Sequence, residues 1–467
     1  MSMDATSSKA GPLTRAFWFG DVDARPLALF RIGFGALLFR DWVGWWPNLT
    51  ALFSPAGIFP NGGPMPAFRW SLFSLAGSTA GTYALWGIGM IAIGAFTAGF
   101  LTRLSTVVAW AFLVSLHNRN MLLLTGGDRL VELLLLTSVF TELGNAWSVD
   151  AKLWPRPQVA AALGLRFMQL EIALLYLVTA RLKLRGLWRS GQGIWISLQH
   201  QGFSRPLGGL LLRFPRVCRV MNYVVMALEA AFPFLVFSPV ARRKTVPLGL
   251  LAALAVQGGI WLTMRVGSFT LFMLWINVLW VDPEWLRLPA LNIETKPLQL
   301  AKQLNRRPTR RQWGAFSVLT TVVSLVSWDF FIGSHVRMPT VLRAVHRAAS
   351  LEQLFELFGV AYDVTRWDAV ATMPDGSHVE VLDKVAPGLS PSPGWSYDPW
   401  YKLTFSMELL DRPALGLWLC RRLTEVGQGA ASLALTRHAR PPSLLGQSDG
   451  PEVTTDFWSG PCPAPAN

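Results

Sequence analysis

Residues 165–188 read LRFMQLEIALLYLVTARLKLRGLW, and the fold turns on this stretch. Around it, residues 160–182 are almost entirely apolar. A helix of ~20 such residues, rising 1.5 Å per residue, matches the ~30 Å hydrocarbon core of a bilayer. Ionisable groups in such a run cost several kcal/mol unless something compensates them, so they mark candidate functional positions. At ~100° per residue, Gln169, Tyr176 and Lys183 are spaced by seven and share one helix face, and Thr179 joins them. Arg181 and Arg185 point roughly the opposite way, so Lys183 is not simply one of a basic cluster. Two readings of Lys183 stay open. Removing an ammonium group from water favours its neutral form, which can act as a general base. Alternatively, a lysine near a helix end snorkels to the interface beside two arginines.

Outward from this run, similar stretches recur. Nine candidate spans are expected at 26–47, 80–101, 104–123, 129–147, 160–182, 222–240, 246–264, 266–283 and 313–332. Of the 467 residues, 52% are hydrophobic and only 15% charged, against about a quarter charged in soluble proteins. The expected architecture is an all-α polytopic membrane helix bundle with a small C-terminal α+β extramembrane region. Residues 1–25 read as a cytoplasmic N-terminal segment, 26–332 as the transmembrane domain, 333–440 as the extramembrane region and 441–467 as a disordered tail. Met1–Trp18 is polar and no small-residue cleavage site follows a short apolar stretch, so the first span reads as a retained anchor.

The net charge of +14 sits in loops between apolar segments, the positive-inside pattern of membrane proteins rather than a nucleic-acid-binding surface. Arg25, Arg156, Arg243 and Arg311 fall in loops assigned to the cytoplasm. With nine spans crossing the cell (cytoplasmic) membrane, this puts the N-terminus in the cytoplasm and the C-terminal region outside. The loop 183–219 breaks the rule with seven basic residues including Lys183, and is expected to be re-entrant or to lie along the interface. Farther on, Met373–Ser377 (MPDGS) is a turn joining a hairpin within 360–381. A further strand is expected at 400–409, a helix at 415–425 and disorder from Arg440 onward, where Pro, Gly and Ser accumulate. Cys218, Cys420 and Cys462 are widely spaced with no CxxC pair and read as unpaired thiols.

Two polar clusters accompany the Lys183 face. In 116–129 (LHNRNMLLLTGGDR), His117, Asn118, Arg119 and Asn120 precede a glycine turn and Asp128. Helix capping and an Arg119–Asp128 pair are the expected structural role, with a polar cavity mouth as the functional alternative. Arg31 lies deep in the first span and needs an intramembrane partner, and Glu171 and Glu229 are the acidic candidates. No metalloprotease, nucleophile-elbow, phosphate-loop or dinucleotide motif occurs. The six histidines are scattered, which argues against a metal site.

Four stretches then suggest a family: 25–41 (RPLALFRIGFGALLFRD), 118–128 followed by Trp147–Ser148–Val149–Asp150, 174–191 (LLYLVTARLKLRGLWRSG) and 266–285 (VGSFTLFMLWINVLWVDPEW). The chain resembles the HTTM (horizontally transferred transmembrane) domain proteins, which include the vitamin K-dependent gamma-carboxylases. The WSVD element and the Tyr176-x6-Lys183-x4-Trp188 spacing carry the resemblance jointly. In the carboxylases, the resemblance implies, the lysine at the place of Lys183 deprotonates vitamin K hydroquinone. Reaction of that quinol with oxygen gives an alkoxide that removes a glutamate γ-proton; the carbanion captures CO2 and the quinone leaves as its epoxide. Shielding such a base from water suits a lipid-soluble quinol arriving from the bilayer. Two carboxylase histidines are replaced here, one at Asn145 and one near Gln257, which weighs against carboxylation more than against quinol chemistry. The C-terminal region is also short for propeptide recognition.

The implied function is thus oxidation of a quinol-like lipid-soluble substrate with Lys183 as base. Gln169, Tyr176, Thr179, Trp188, Asn145 and Gln257 are expected to bind substrate, and reduced vitamin K or another quinol would be the cofactor. Arg31, Asn118, Arg119, Asn120, Asp128, Trp147 and Asp150 form the expected structural polar cluster. The bilayer, a quinone and a protein or peptide substrate are the implied partners. The alternative is a non-catalytic maturation, export or immunity factor that binds its partner through the outer C-terminal region. A transporter lacks the supporting inverted repeat or broken helices.

Overall fold

The computed structural model describes residues 11–200, 202–283, 308–333, 336–353, 363–385, 399–403, 412–447 and 449–463. Most of the basic loop 284–312 and the expected strand residues 404–409 lie outside the described residues. The principal helices are α1 (Arg25–Gly44), α2 (Thr79–Ala98), α3 (Thr102–Arg119), α4 (Gly126–Ser138), α5 (Ala162–Lys183), α6 (Gly193–Gln199), α7 (Pro215–Val236), α8 (Arg242–Thr263), α9 (Phe269–Trp275, extended by a 3-10 turn to Trp280), α10 (Arg310–Phe331), α11 (Thr340–Ala348) and α12 (Arg412–Glu425). Each of the nine expected spans contains helix, 129–147 only as far as Ser138, but among the described residues four helices are long and apolar enough to cross a membrane: α2, α5, α7 and α8. The others fall short for visible reasons. At 1.5 Å per residue α4 extends only ~20 Å, and α1 carries Arg25, Arg31, Arg40 and Asp41 along its length.

Helix α5 sits innermost. In its most apolar stretch 78% of residues are buried, against 33%, 22% and 33% for α2, α7 and α8. Its N-terminal end is anchored by a two-stranded antiparallel pair, β1 (Asp21–Asp23) with β2 (Val159–Ala161). Along its middle the buried Glu171 accepts a hydrogen bond from Thr137 of α4 at 2.6 Å.

The polar motif residues build joints within this bundle. Arg31 is fully buried and its partners are carbonyl oxygens: Leu143 at 2.6 Å, Trp147 at 2.5 Å and, more weakly, Thr97 and Ala146. Asp150 accepts from the backbone N–H groups of Leu101 and Thr102, both at 2.7 Å, and from the Thr102 hydroxyl. It thereby satisfies first-turn donors that α3 cannot satisfy itself. Gly99 lies in this joint with φ +71°, and a Cβ there would meet Ser148 Cβ at 2.5 Å and Arg31 Cζ at 2.7 Å. Only glycine fits.

The expected Arg119–Asp128 pair does not form. Arg119 donates to the carbonyls of Phe53, Phe59 and Pro60, while Asp128 closes a capping box with Thr125 at the start of α4. Each group has a nearer backbone partner, so capping prevails over pairing. Asn118 and Asn120 likewise donate to the carbonyls of Trp70 and Leu52.

The C-terminal region is a four-stranded antiparallel sheet in the order β4 (His378–Glu380), β3 (Val364–Thr372), β5 (Ser432–Arg440), β6 (Val453–Pro461), with α12 packed on it. The β3–β4 hairpin turns at Met373–Ser377. Three expectations are corrected here. The tail is not disordered between 453 and 461, because Thr454, Asp456 and Trp458 pair with β5 and Phe457 packs edge-on against Trp367 at 5.0 Å. Cys420 and Cys462, 42 residues apart, form a disulfide from α12 to the end of β6, whereas Cys218 is free and buried. Sequence spacing could not show the pairing because the sheet brings the two together. Pro399–Leu403 is a short helix rather than the start of a strand, and Trp400 donates to Asn48 at 3.0 Å.

Candidate functional site

A cavity of about 210 Å³ lies between α5, α7, α8 and α6. Helix α7 runs antiparallel to α5, so that Asn222, Glu229 and Phe232 meet Trp188, Lys183 and Tyr176 in turn. Lys183 Nζ donates to Glu229 Oε1 at 2.5 Å; the two residues are only 7% and 5% exposed. The Lys183 ammonium also stands 4.5 Å from the centre of the Trp188 ring, a cation–π distance. Gln257 of α8 donates to the Tyr176 hydroxyl at 3.2 Å, and the Tyr176 ring packs on Phe232 at 4.2 Å. The Trp188 backbone is held in turn by Asn222 Nδ2, 2.8 Å from its carbonyl.

Lys183, Glu229, Tyr176, Thr179, Gln257, Ser197 and Thr263 bring polar atoms to a wall that is otherwise Leu, Val, Ile, Met, Phe, Ala and Gly with the Trp188 ring. Among the described residues Glu229 Oε2 and Gln257 Oε1 are buried acceptors with no donor. Buried unpaired acceptors are destabilising by roughly 1–3 kcal/mol each, and a ligand carrying O–H or N–H groups would relieve them.

The structure brings together Tyr176, Thr179, Lys183, Trp188 and Gln257 from the expected set and leaves out two. Gln169 faces away from the cavity, bonding the Leu279 carbonyl at 2.7 Å and receiving Arg166 at 2.8 Å. Two turns of helix separate it from Tyr176, and α9 with its 3-10 extension fills that level. Asn145 donates to the Val159 carbonyl at 2.6 Å, far along the chain at the β1–β2 end. From the sequence the counter-ion Glu229 is no more than an acidic candidate. The sole carboxylate in the apolar run 222–240 was its signal, but no spacing rule links two helices 46 residues apart. Asn222 and the α6 wall, which contributes Ile194, Ser197 and Leu198, carried no sequence signal.

The loop 183–219 is held by protein. Beyond its α6 wall, Ser204 bridges Met264. Ser443 of the C-terminal region docks on the far side of α6, with its backbone N–H and hydroxyl donating to Gln199 Oε1 at 2.8 and 2.9 Å. Its carbonyl accepts from Trp195 Nε1 and Gln199 Nε2. At the end of α6, burial pushes the His200 imidazole down to about 4, and the Arg440 guanidinium adds to this.

Apolar helices wrapped around a cavity with a buried amine–carboxylate pair define the class: a helical membrane protein with a polar site inside its bundle. The chain belongs to the HTTM domain family, whose sequence pattern matches residues 19–285. The cavity walls fall within the matched region and the C-terminal sheet beyond it. No curated protein and no solved structure matches the chain.

Proposed function

We propose that this HTTM protein is a multi-pass enzyme of the cell membrane that binds a reduced, quinol-like lipid-soluble substrate in the α5–α8 cavity and uses Lys183 as base. The observation that carries this reading is the pairing of Lys183 with Glu229 beside two acceptors that lack donors. A quinol offers two O–H donors to such a site, whereas a quinone offers none.

The pair holds one proton between two groups. With that proton on Glu229, the Lys183 amine is free to take the phenolic proton of the substrate. The quinolate then lies against the new ammonium, and the water-poor cavity strengthens their attraction. Tyr176, held by Gln257, and Thr179 position the ring, with Trp188 as a stacking wall. Oxygen is the co-reactant: quinol and O2 give the quinone epoxide and water. Carboxylation is not part of this reading, because Asn145 lies outside the cavity and Gln257 is an amide.

Nine crossings, with the N-terminus inside and the C-terminal sheet outside, fit the basic loops. The Cys420–Cys462 disulfide supports the same orientation, since such bonds persist on the oxidising side. The test is epoxide formation from a reduced quinone and oxygen by purified protein and by Lys183→Ala. Turnover lost in a variant that stays folded in detergent supports the enzyme. Wild type inactive on every quinol tried supports a second reading. That reading, a maturation, export or immunity factor binding a partner through the outer sheet, is favoured by the disulfide-braced sheet latched to α6 through Ser443.

A further inference from the structure

The basic stretch 183–219 carries seven Lys and Arg side chains and no Asp or Glu. Five of them, Arg185, Arg189, Arg213, Arg216 and Arg219, are exposed. Among the described residues none of the five has an ion pair. They gather at the end of the bundle where α5 finishes and α7 begins. The loop and α7 close on each other at Gly191. There the Tyr223 hydroxyl donates to the Arg189 carbonyl at 3.1 Å. A Cβ on Gly191 would stand 3.0 Å from both Arg219 Cγ and Tyr223 Oη. Arg216, Arg219 and Tyr223 follow one another at spacings of three and four, on one face of α7. Like charges repel, so a shelf that collects guanidinium groups without carboxylates is complementary to an anion.

The surroundings say which anion. Between the arginines stand Leu184, Leu210, Phe214, Val217 and Val220, which are 44% to 62% exposed. A free phosphate makes no use of such side chains, whereas a phospholipid presents a phosphate beside its acyl chains. Position agrees with this. Helix α7 is apolar enough to cross a membrane and carries Arg216 and Arg219 near its start, with Val220 and Val224 exposed directly after. Arginine and tyrosine at such a helix end reach the headgroup level while their stems lie along apolar surface. In the orientation proposed above this end faces outside, where basic loops are disfavoured, and anionic headgroups would offset that conflict.

We infer that the arginine shelf formed by 185–189 and 213–219 binds the phosphate headgroups of anionic phospholipids, with Leu210, Phe214 and Val217 set among their acyl chains. A guanidinium fork matches two phosphate oxygens at once. A zwitterionic lipid brings its own ammonium group to the same shelf and is held less. The inference goes beyond the quinol reading and depends on no turnover at Lys183.

The test is native mass spectrometry of the full-length protein in detergent, titrated with dioleoylphosphatidylglycerol or with dioleoylphosphatidylcholine. Each basic group near an anionic surface strengthens attachment by about fivefold. Wild type should therefore take its first phosphatidylglycerol at about a tenth of the concentration that phosphatidylcholine needs, or less. Arg216→Gln with Arg219→Gln should weaken phosphatidylglycerol binding about tenfold or more. Both side chains are exposed, so the substitutions leave the packed interior alone. Arg216→Lys with Arg219→Lys should keep part of the affinity, since the charge returns without the fork. Arg243→Gln with Lys244→Gln, at the opposite end of the bundle, should bind as wild type does. Equal affinity of wild type for the two lipids would overturn the shelf. So would a preference that survives in the Arg216 and Arg219 double variant, or one lost in the Arg243 and Lys244 pair instead. Displacement of the lipid by an equal concentration of inorganic phosphate would also overturn it, because the acyl chains would then contribute nothing. The readout is lipid mass on the protein, so a lack of quinol oxidation removes the quinol reading alone.

Discussion

Helix α5 and the pair α7–α8 have the same length, 22 residues, and nearly the same hydropathy, yet opposite surroundings. Over three-quarters of the apolar stretch of α5 is buried, against a third or less in the other two. Buried over most of its surface, α5 can carry Gln169, Glu171, Tyr176, Thr179 and Lys183, because each finds a protein partner or an enclosed cavity. The outer helices begin with basic first turns, Arg216 and Arg219 on α7 and Arg242, Arg243 and Lys244 on α8; farther along, they turn side chains such as Phe234 and Leu251 outward and bury Asn222, Glu229 and Gln257. Hydropathy does not separate the two roles. The placement of polar residues around the helix does.

The sharpest way to break this comparison is to remove the one charge pair that spans it. Lys183→Ala leaves the Glu229 carboxylate buried and alone, and breaking a buried pair from one side costs about 3–5 kcal/mol. Loss of a positioned base lowers turnover by a further ~10²–10⁴-fold. Lys183→Met with Glu229→Leu should recover most of the stability, read by thermal unfolding in detergent, while activity stays lost. If the single variant unfolds at the wild-type temperature, the pair is solvated and the inner helix is not inner at Lys183.

Next in size is the brace of the C-terminal sheet. The disulfide closes a loop across 42 residues, and loops of that length are stabilised by roughly 3–4 kcal/mol. Cys420→Ser with Cys462→Ser should therefore speed proteolysis of the sheet while Lys183-dependent activity persists. Activity falling in step with sheet stability would show that the latch at Ser443 governs α6 and the cavity.

That junction is also where pH acts. His200 is held near 4, below its ordinary value of about 6.5, so between those values the unfolded chain binds a proton that the folded one refuses. Stability from this group is complete above pH 6.5 and falls as the pH drops toward 4, by about 3 kcal/mol in all. Protection factors of the amides around Ser443, corrected for the intrinsic pH dependence of exchange, should fall from pH 7 to 4.5 and lose most of that dependence in His200→Asn. An unchanged profile in the variant would place the titrating group elsewhere.

The inner helix was the readable one, and the reason is physical. Its face is defined by spacing within one helix, so Tyr176, Thr179 and Lys183 could be grouped from 3.6 residues per turn alone. Gln169 obeyed the same spacing and still faces α9, because a shared face two turns long can border two different neighbours. What α7 and α8 contribute depends on how they pack, and the Lys183–Glu229 pair and the α6 wall left no periodic trace. The family resemblance reached further than periodicity at Arg31, Trp147 and Asp150, whose spacing reflects one joint of carbonyls and first-turn amides. The disulfide and β6 escaped because Pro, Gly and Ser in the tail resemble disorder until a partner strand is at hand.

The smallest effect discriminates most finely between the two faces of a single helix. On α8, Leu251 is 60% exposed and Val256, five residues on, is 2% exposed against the cavity. Lipid chains are as apolar as leucine, so an outward side chain gains little from its surroundings beyond what lipid supplies after truncation. Leu251→Ala should thus change unfolding in vesicles by no more than about 0.5 kcal/mol. Val256→Ala enlarges the cavity and should cost about 1 kcal/mol or more by lost contacts. A large loss at Leu251 would mean that this face packs on protein rather than on lipid, and that α8 is an inner helix like α5.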